Sequence, residues 1–257
     1  MSDQISTSSL QMAWSQAPWD QVVCGFPVLQ ITSIAVQGKH AADDLHIFER
    51  ERDRLDAGMV SCRLPHGCMA ESMLLEDRGF RFIEMAYAPE LDLSTFKSDG
   101  NVALLAVARA RENDLPFILD IARTSFLNER FKMDPRLHPG ISDQRYQNWA
   151  ASSLHHAAQN LHVICDGERR VAFFVTEMQN DGTCYWHLNA VAPDAQGQGY
   201  GRRVWLSMLD LAAKSGAQRV RTSIVARNHR VLNLYARLGF YFPPPSMTFH
   251  WIRSKPE

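Results

Sequence analysis

The stretch Val191-Ala192-Pro193-Asp194-Ala195-Gln196-Gly197-Gln198-Gly199-Tyr200-Gly201 decides how the rest of the chain is read. It joins two segments of different periodicity. Before it, Cys184 to Val191 reads as a strand; after it, Val204, Trp205, Met208, Leu209 and Ala212 fall on one face of a helix that Gly216 ends. Glycines at such a junction let the backbone take positive φ and come close to a ligand. Successive N–H groups then point into one concavity at the positive end of a helix dipole, a geometry that binds a pyrophosphate. Arg202 and Arg203, in the first helical turn, add positive charge.

A glycine loop alone specifies little. The dinucleotide fingerprint GxGxxG fails at its last position, which is Arg202, and only about sixty residues remain for the several further strands that fold needs. A P-loop needs Gly-Lys-Ser/Thr after its glycines, which is absent. A tight turn without a ligand stays open at this point.

Working outward, Val220, Thr222 and Ile224 alternate along a strand, and Val231, Leu234, Tyr235 and Leu238 form a helical stripe stopped by Gly239. Strands at Phe240 to Phe242 and Met247 to Ile252 close the chain. Upstream, strands at Leu161 to Cys165 and Val171 to Met178 are joined by Asp166-Gly167, and Asn180-Asp181-Gly182 leads into the next, which is hairpin chemistry. Earlier still lie a strand at Val102 to Ala108, a helix capped by Asn113 or Asp114 with Pro116 in its first turn, a loop from Asn128 to Gly140, and a helix from Ser142 to about Ala158.

The polar run ending in Ser98-Asp99-Gly100-Asn101 reads as a linker and divides the chain into 1–100 and 101–257. In the first part, Met1 to Pro18 reads as a loose tail. It is followed by a β-prone stretch (Phe26 to Val36), a charged helix (Ala41 to about Asp56), a strand (Met59 to Leu64), a helix (Met69 to Asp77) and a strand (Arg81 to Ala88). Leu74 to Phe82 weakly echoes Leu234 to Phe242: helix, glycine stop, aromatic strand. Either such junctions are merely common, or the first part is a truncated copy of the second that lacks the phosphate loop.

The 257 residues are 46% apolar, ordinary for a globular core, and the formal net charge is −1. No bulk basic field exists for nucleic acid and no Lys/Arg tract for an anionic membrane. The N-terminus lacks the basic start and apolar core of a leader, and no apolar run reaches the ~20 residues that span a bilayer. The expectation is a soluble, cytoplasmic protein, and a homodimer is compatible with it. Five cysteines, odd in number and without a CxxC pair, point to free thiols and to no metal site.

Two signatures together identify a family. The run Val-x-Pro-x-x-Gln-Gly-x-Gly-x-Gly at 191–201 resembles the coenzyme A loop of the GNAT N-acetyltransferases. Asn228-x(6)-Tyr235-x(3)-Gly239-Phe240 resembles that family's second signature, in the same order and separation. The resemblance runs from about Val102 to Ile252. It implies an α/β (α+β) fold with a mixed, mostly antiparallel central sheet flanked by helices, preceded by a truncated half-domain of the same kind. It implies acetyl-CoA as co-substrate and no metal.

By that resemblance, Gln196, Gly197, Gln198, Gly199, Tyr200, Gly201 and Arg202 bind the coenzyme, with N–H groups from Gln198 to Arg202 on its pyrophosphate. Ala190 and Val191 pair their backbone with the pantetheine arm, as an added strand does. Asn228 contacts the coenzyme and Tyr235 protonates the leaving thiolate. A phenol of pKa ~10 can act so toward a thiol of pKa ~8.5 in a dry site. Tyr235 also fits a core aromatic on the helix stripe. The attacking amine must lose a proton; His187, Glu177 or a chain of water can take it.

Arg130-Phe131-Lys132-Met133-Asp134-Pro135, Tyr146-x-x-Trp149 and Phe249-His250-Trp251 resemble a narrower branch, the dTDP-fucosamine acetyltransferases, which acetylate an amino sugar on a nucleotide carrier. That branch often shows Arg-Phe-His where this chain has Arg130-Phe131-Lys132, and Thr-Gln shortly before its Asn where this strand reads Thr222-Ser223-Ile224-Val225. Arg130, Lys132, Arg136 and Arg145 would supply cations for a nucleoside diphosphate, and Phe131 and Trp149 would stack on sugar or base. A solvated helix and loop is the plain alternative. Two other functions stay open: a protein or peptide N-acetyltransferase, and a non-catalytic acyl-CoA-binding module.

Overall fold

The computed structural model describes residues 3–96 and 102–254; the expected linker Ser98-Asp99-Gly100-Asn101 lies outside them. The chain forms two compact units that no single cut separates. One comprises Met1–Ala86, Met133–Ile141 and Pro244–Glu257, the other Tyr87–Lys132 and Ser142–Pro243.

In the first unit the elements are β1 (Gln4–Ser6), β2 (Leu10–Gln16), α1 (Pro18–Cys24), β3 (Val28–Val36), α2 (Ala41–Asp44), α3 (His46–Arg54), β4 (Met59–Pro65), α4 (Met69–Asp77) and β5 (Arg81–Tyr87). The last strand of the chain, β13 (Ser246–Ile252), completes the sheet β1-β2-β3-β4-β13-β5. It pairs antiparallel with β4 on one side and β5 on the other. The N-terminal residues expected as a loose tail are strands. Leu10, Met12 and Trp14 bury one face of β2 while Gln11 and Ser15 stay exposed, and Trp14 meets Phe48 of α3 edge to face at 5.1 Å. The period-two apolar set is only three residues long, and the polar residues around it hide it from a composition-based reading.

The second unit holds β6 (Glu90–Asp92), β7 (Ala106–Arg109), α5 (Leu115–Ser125), α6 (Arg130–Met133), α7 (Gly140–Ser153), β8 (Gln159–Asp166), β9 (Arg169–Met178), β10 (Thr183–Val191), α8 (Tyr200–Lys214), β11 (Arg219–Thr222), β12 (Ile224–Val225) and α9 (His229–Arg237). Its sheet runs β6-β11-β10-β9-β8-β7, antiparallel except for the parallel pair β10/β11. The core lies between sheet and helices, around Phe173, Phe174, Trp186, Val204 and Leu209. Helix α7 stops five residues short of the expected Ala158, since the hydroxyls of Ser152 and Ser153 both donate to the Trp149 carbonyl. No strand forms at Phe240 to Phe242. Tyr241 makes one bridge to Glu90, and Pro243-Pro244-Pro245 then offer no N–H to a ladder.

The weak repeat is a structural one. Cys68 caps α4 at φ −81°, ψ 69°, and Asn228 caps α9 at φ −83°, ψ 62°. Gly79 and Gly239 follow at φ 81° and 86°, and Phe80 and Phe240 donate back to Leu75 and Tyr235, both at 3.0 Å. The parallel pair β3/β4 runs from Val28↔Met59 to Ile31↔Cys62, as β10/β11 runs from Thr183↔Arg219 to Trp186↔Thr222. A bulge follows each last rung, at Thr32 in β3 and His187 in β10. The first unit is therefore a truncated version of the second. It carries Leu75 where the second has Tyr235, and β3 runs through Gln37-Gly38 to α2 with no glycine loop. The Val36 N–H, at the register position of Val191, is taken by the Glu71 carboxylate at 2.9 Å.

Candidate active site

The site grows from the way β10 and β11 part. Their parallel pairing ends at Trp186↔Thr222, and Thr222 Oγ1 donates to the Trp186 carbonyl at 2.9 Å on that last rung. Beyond it β10 continues to Val191 and, among the described residues, pairs only with β9, so the β11-side edge of His187 to Val191 faces no described strand. Such an edge can accept an extended, amide-bearing chain. Ala190 and Val191 lie on it, where the sequence places them.

At the end of that edge, Pro193–Ala195 form a 3₁₀ turn and the glycine loop opens α8. Gly197 and Gly199 hold φ of 78° and 82°, and a Cβ on either would meet no heavy atom within 4 Å. Backbone conformation, not crowding, therefore requires glycine there, and the space outside is open. Gly199 is the α8 N-cap and supplies no side-chain cap, which leaves the first-turn N–H groups to an outside acceptor. The loop is braced from its own flanks. Gln196 Nε2 donates to the Val191 carbonyl (3.1 Å), and Gln198 Nε2 to the Asp194 carbonyl (2.6 Å).

Asp166 and Arg169 anchor the loop further, and neither figured in the sequence reading beyond a hairpin turn. Asp166 accepts from Tyr200 (2.8 Å) and pairs with Arg203 (3.0 Å), and these two partners hold its carboxyl below the usual range. Arg169 pairs with Asp194 at 3.0 Å. An Asp-Gly turn gives no hint that its carboxylate will meet a helix start over thirty positions on; only the tertiary fold brings them together. Asn228 accepts the Val231 N–H at 3.3 Å and so serves first as the α9 cap.

Tyr235 on α9 is buried, 1% exposed, and its hydroxyl lies among Trp205, Thr222 and Asn189, where the strands part. Burial pushes the phenol up to about 12 against the opposing pull of those three neighbours. The group stays protonated at any working pH, as a proton donor must.

His187 is the extra residue of the β10 bulge; it stays on the face of Tyr185, between the buried Trp186 and Leu188. Its Nε2 lies 2.9 Å from Glu177 Oε2, so the two expected proton acceptors form one partly buried pair. The imidazole ring centre is 4.8 Å from that of Tyr185 and 6.0 Å from that of Trp149. Trp149 continues a row through Tyr146 (6.4 Å) to Phe126 (4.0 Å further). Trp149 and the pair thus come together.

The expected acceptor cations behave differently from one another. Arg145 lies over the rings of Phe131, Tyr146 and Trp149 at 5.0–5.5 Å, and Arg130 over Phe131 at 4.6 Å. Phe131 is wholly buried, so it supports the two guanidiniums and does not itself offer a face for stacking. Lys132 is paired with Asp143 at 2.8 Å. Arg136 belongs to the first unit and is already engaged there. It clamps the fully buried Asp134 in the first unit at 2.8–2.9 Å, with His250 Nδ1 3.0 Å from the same carboxylate. Arg136 and His250 together hold that carboxyl far below its usual range, against the burial that opposes them. Among the described residues no His/Cys/Asp/Glu group is arranged to hold a metal ion, and no helix is long and apolar enough to cross a membrane.

Comparison with known proteins bears on the family and the fold. Residues 116–240 match the Acetyltransferase (GNAT) family and form a GNAT acetyltransferase domain, of the acyltransferase class. Over 128 residues the chain is 27% identical to the spore coat polysaccharide biosynthesis protein SpsD of Bacillus subtilis (strain 168), covering 49% of this chain and 44% of that protein. The chain therefore matches less than half the length of that relative. Two solved structures share the fold. One is a conserved protein of unknown function from Staphylococcus epidermidis ATCC 12228 (TM-score 0.65, 11% identity, 97% of this chain, 93% of that one). The other is a GCN5-related N-acetyltransferase from Sphaerobacter thermophilus (TM-score 0.63, 12% identity, 95% of this chain, 76% of that one).

Proposed function

We propose that the second unit transfers an acetyl group from acetyl-CoA to a primary amine on a small molecule, and that this molecule is a nucleotide-linked amino sugar. The observation that carries the transfer is the parted β10/β11 pair, with a phosphate-ready loop at one end and a buried phenol at the other. Acetyl-CoA supplies the acyl group and a thiolate leaving group. The β10 edge binds the pantetheine amides, and the N–H groups from Gln198 to Arg202 bind the pyrophosphate. The His187–Glu177 pair takes the proton that the amine loses as its nitrogen attacks the thioester carbonyl. As the carbon–sulfur bond breaks, Tyr235 gives its proton to the sulfur. The phenolate then regains the equivalent that the pair collected.

The amino-sugar assignment draws on two supports. The Arg130/Arg145 guanidiniums over an aromatic row suit a diphosphate and a flat or ring-shaped ligand. The relative SpsD is named for polysaccharide biosynthesis, and polysaccharide assembly uses activated sugars. Release of free thiol from acetyl-CoA with a panel of amines tests the whole reading. Nucleotide-linked amino sugars should turn over best. Turnover on peptides alone would reassign the acceptor, and coenzyme binding with no turnover would make the domain an acyl-CoA-binding module.

A further inference from the structure

Buried polar hydrogens without acceptors are uncommon, and each asks for a reason. In the core of the second unit, the indole N–H groups of Trp186 and Trp205 are both buried without a hydrogen-bond partner. Both rings meet Phe174 edge to face at 5.1 Å. Trp205 differs in its second neighbour. Its ring stands at 68° to that of Tyr235, centres 6.2 Å apart, an approach that favours the ionised over the neutral phenol. In the resting, neutral site that approach stops short of a hydrogen bond. Of the other groups at the phenol oxygen, Thr222 has already committed its hydroxyl proton to the Trp186 carbonyl, which leaves Asn189 as the second donor.

A dipole fixed in a dry site beside the place where charge will appear stabilises that charge without reorganisation. We propose that Trp205 is a positioning residue of the transfer, whose indole N–H is held in reserve for the Tyr235 oxygen and engages it as the proton passes to the departing sulfur. The O–H bond of Tyr235 breaks, the S–H bond forms, and the negative charge left on oxygen is met by Trp205 and Asn189. The inference rests on the reading of Tyr235 as the acid.

Three measurements test it. Trp205→Phe should lower kcat about tenfold while leaving the KM for acetyl-CoA in place, the loss of one hydrogen bond to a charged group. In a Tyr235→Phe background the same change should cost nothing further, since no phenolate then forms; an equal loss in both backgrounds would mean that Trp205 only supports the fold. Independently of turnover, difluorotyrosine placed at 235 brings the phenol ionisation into reach, and its ¹⁹F titration should move up by about one pH unit without the indole N–H. Where Trp205→Phe fails to fold, 3-benzothienylalanine at 205 keeps the ring shape and removes the N–H. An unmoved titration overturns the inference. Tyr235→Phe with wild-type turnover would instead overturn the acid assignment on which it stands.

Discussion

Gly199→Ala separates the shape of the loop from its chemistry. Gly199 sits at φ 82°, ψ −5°, and an added Cβ meets nothing within 4 Å, so no clash enters. What remains is the strain of a left-handed L-residue, about 1–2 kcal/mol. Without ligand the loop can relax out of that conformation, and the folded state loses little. To bind a pyrophosphate it must return, so the strain appears in the binding energy. Affinity for coenzyme A should fall about 5- to 30-fold. Titration calorimetry with coenzyme A, beside a thermal melt, reads both quantities. An unchanged Kd would refute the assignment of this loop to the phosphates. A large drop in melting temperature with equal loss of affinity would show that glycine serves the fold instead.

Three further outcomes are expected. The pH dependence of stability should carry a signature of His162, whose imidazole is pushed down to about 4, chiefly by burial and then by Arg109. Between about 6.5 and 4 the unfolded chain binds a proton that the native state refuses. Stability should therefore fall as pH drops through that window, by up to about 3 kcal/mol, and urea midpoints at pH 7 and 4.5 should differ less in His162→Gln. Glu177→Gln should lower kcat about 100-fold with a small change in acceptor KM, because His187 loses its carboxylate partner; unchanged turnover would pass the proton to water instead. Coenzyme A should bind once per chain, since the first unit has no glycine loop and its Val36 N–H is held by Glu71; calorimetric stoichiometry near two would contradict this.

The parts of the site that were legible in sequence are those written in local spacing. The glycine loop, the α9 stripe with Gly239, and the repeat at Leu74 to Phe82 each rest on residues within about a dozen positions of one another, and each appears where expected. What was hidden depends on partners distant in the chain. Arg136 looked like a free cation because Asp134 and His250 gave no sign of sharing one buried cluster. His187 and Glu177 looked like separate candidates, because their meeting depends on the register between two strands and neither strand shows it alone. Phe131 looked like a stacking surface because burial is decided by what folds over it. The β2 strand was missed for a related reason, since a three-residue apolar alternation gains meaning only when β3 lies beside it.

The place of β13 bears on how the molecule is made. Ser246–Ile252 lie hydrogen-bonded between β4 and β5, yet those two strands leave the ribosome when most of the chain is still untranslated. At ordinary elongation rates they wait roughly 10–30 s for the strand that separates them. Over that interval the run Met59 to Cys62, buried in the finished sheet, has an unfilled neighbour. The residues of the second unit end at Pro243, so all of them have been synthesised before β13. Birth order and completion order are thus reversed: the half of the protein that is made first is finished last, and a released chain ending just before Ser246 would combine all residues of the second unit with an open, aggregation-prone sheet in the first.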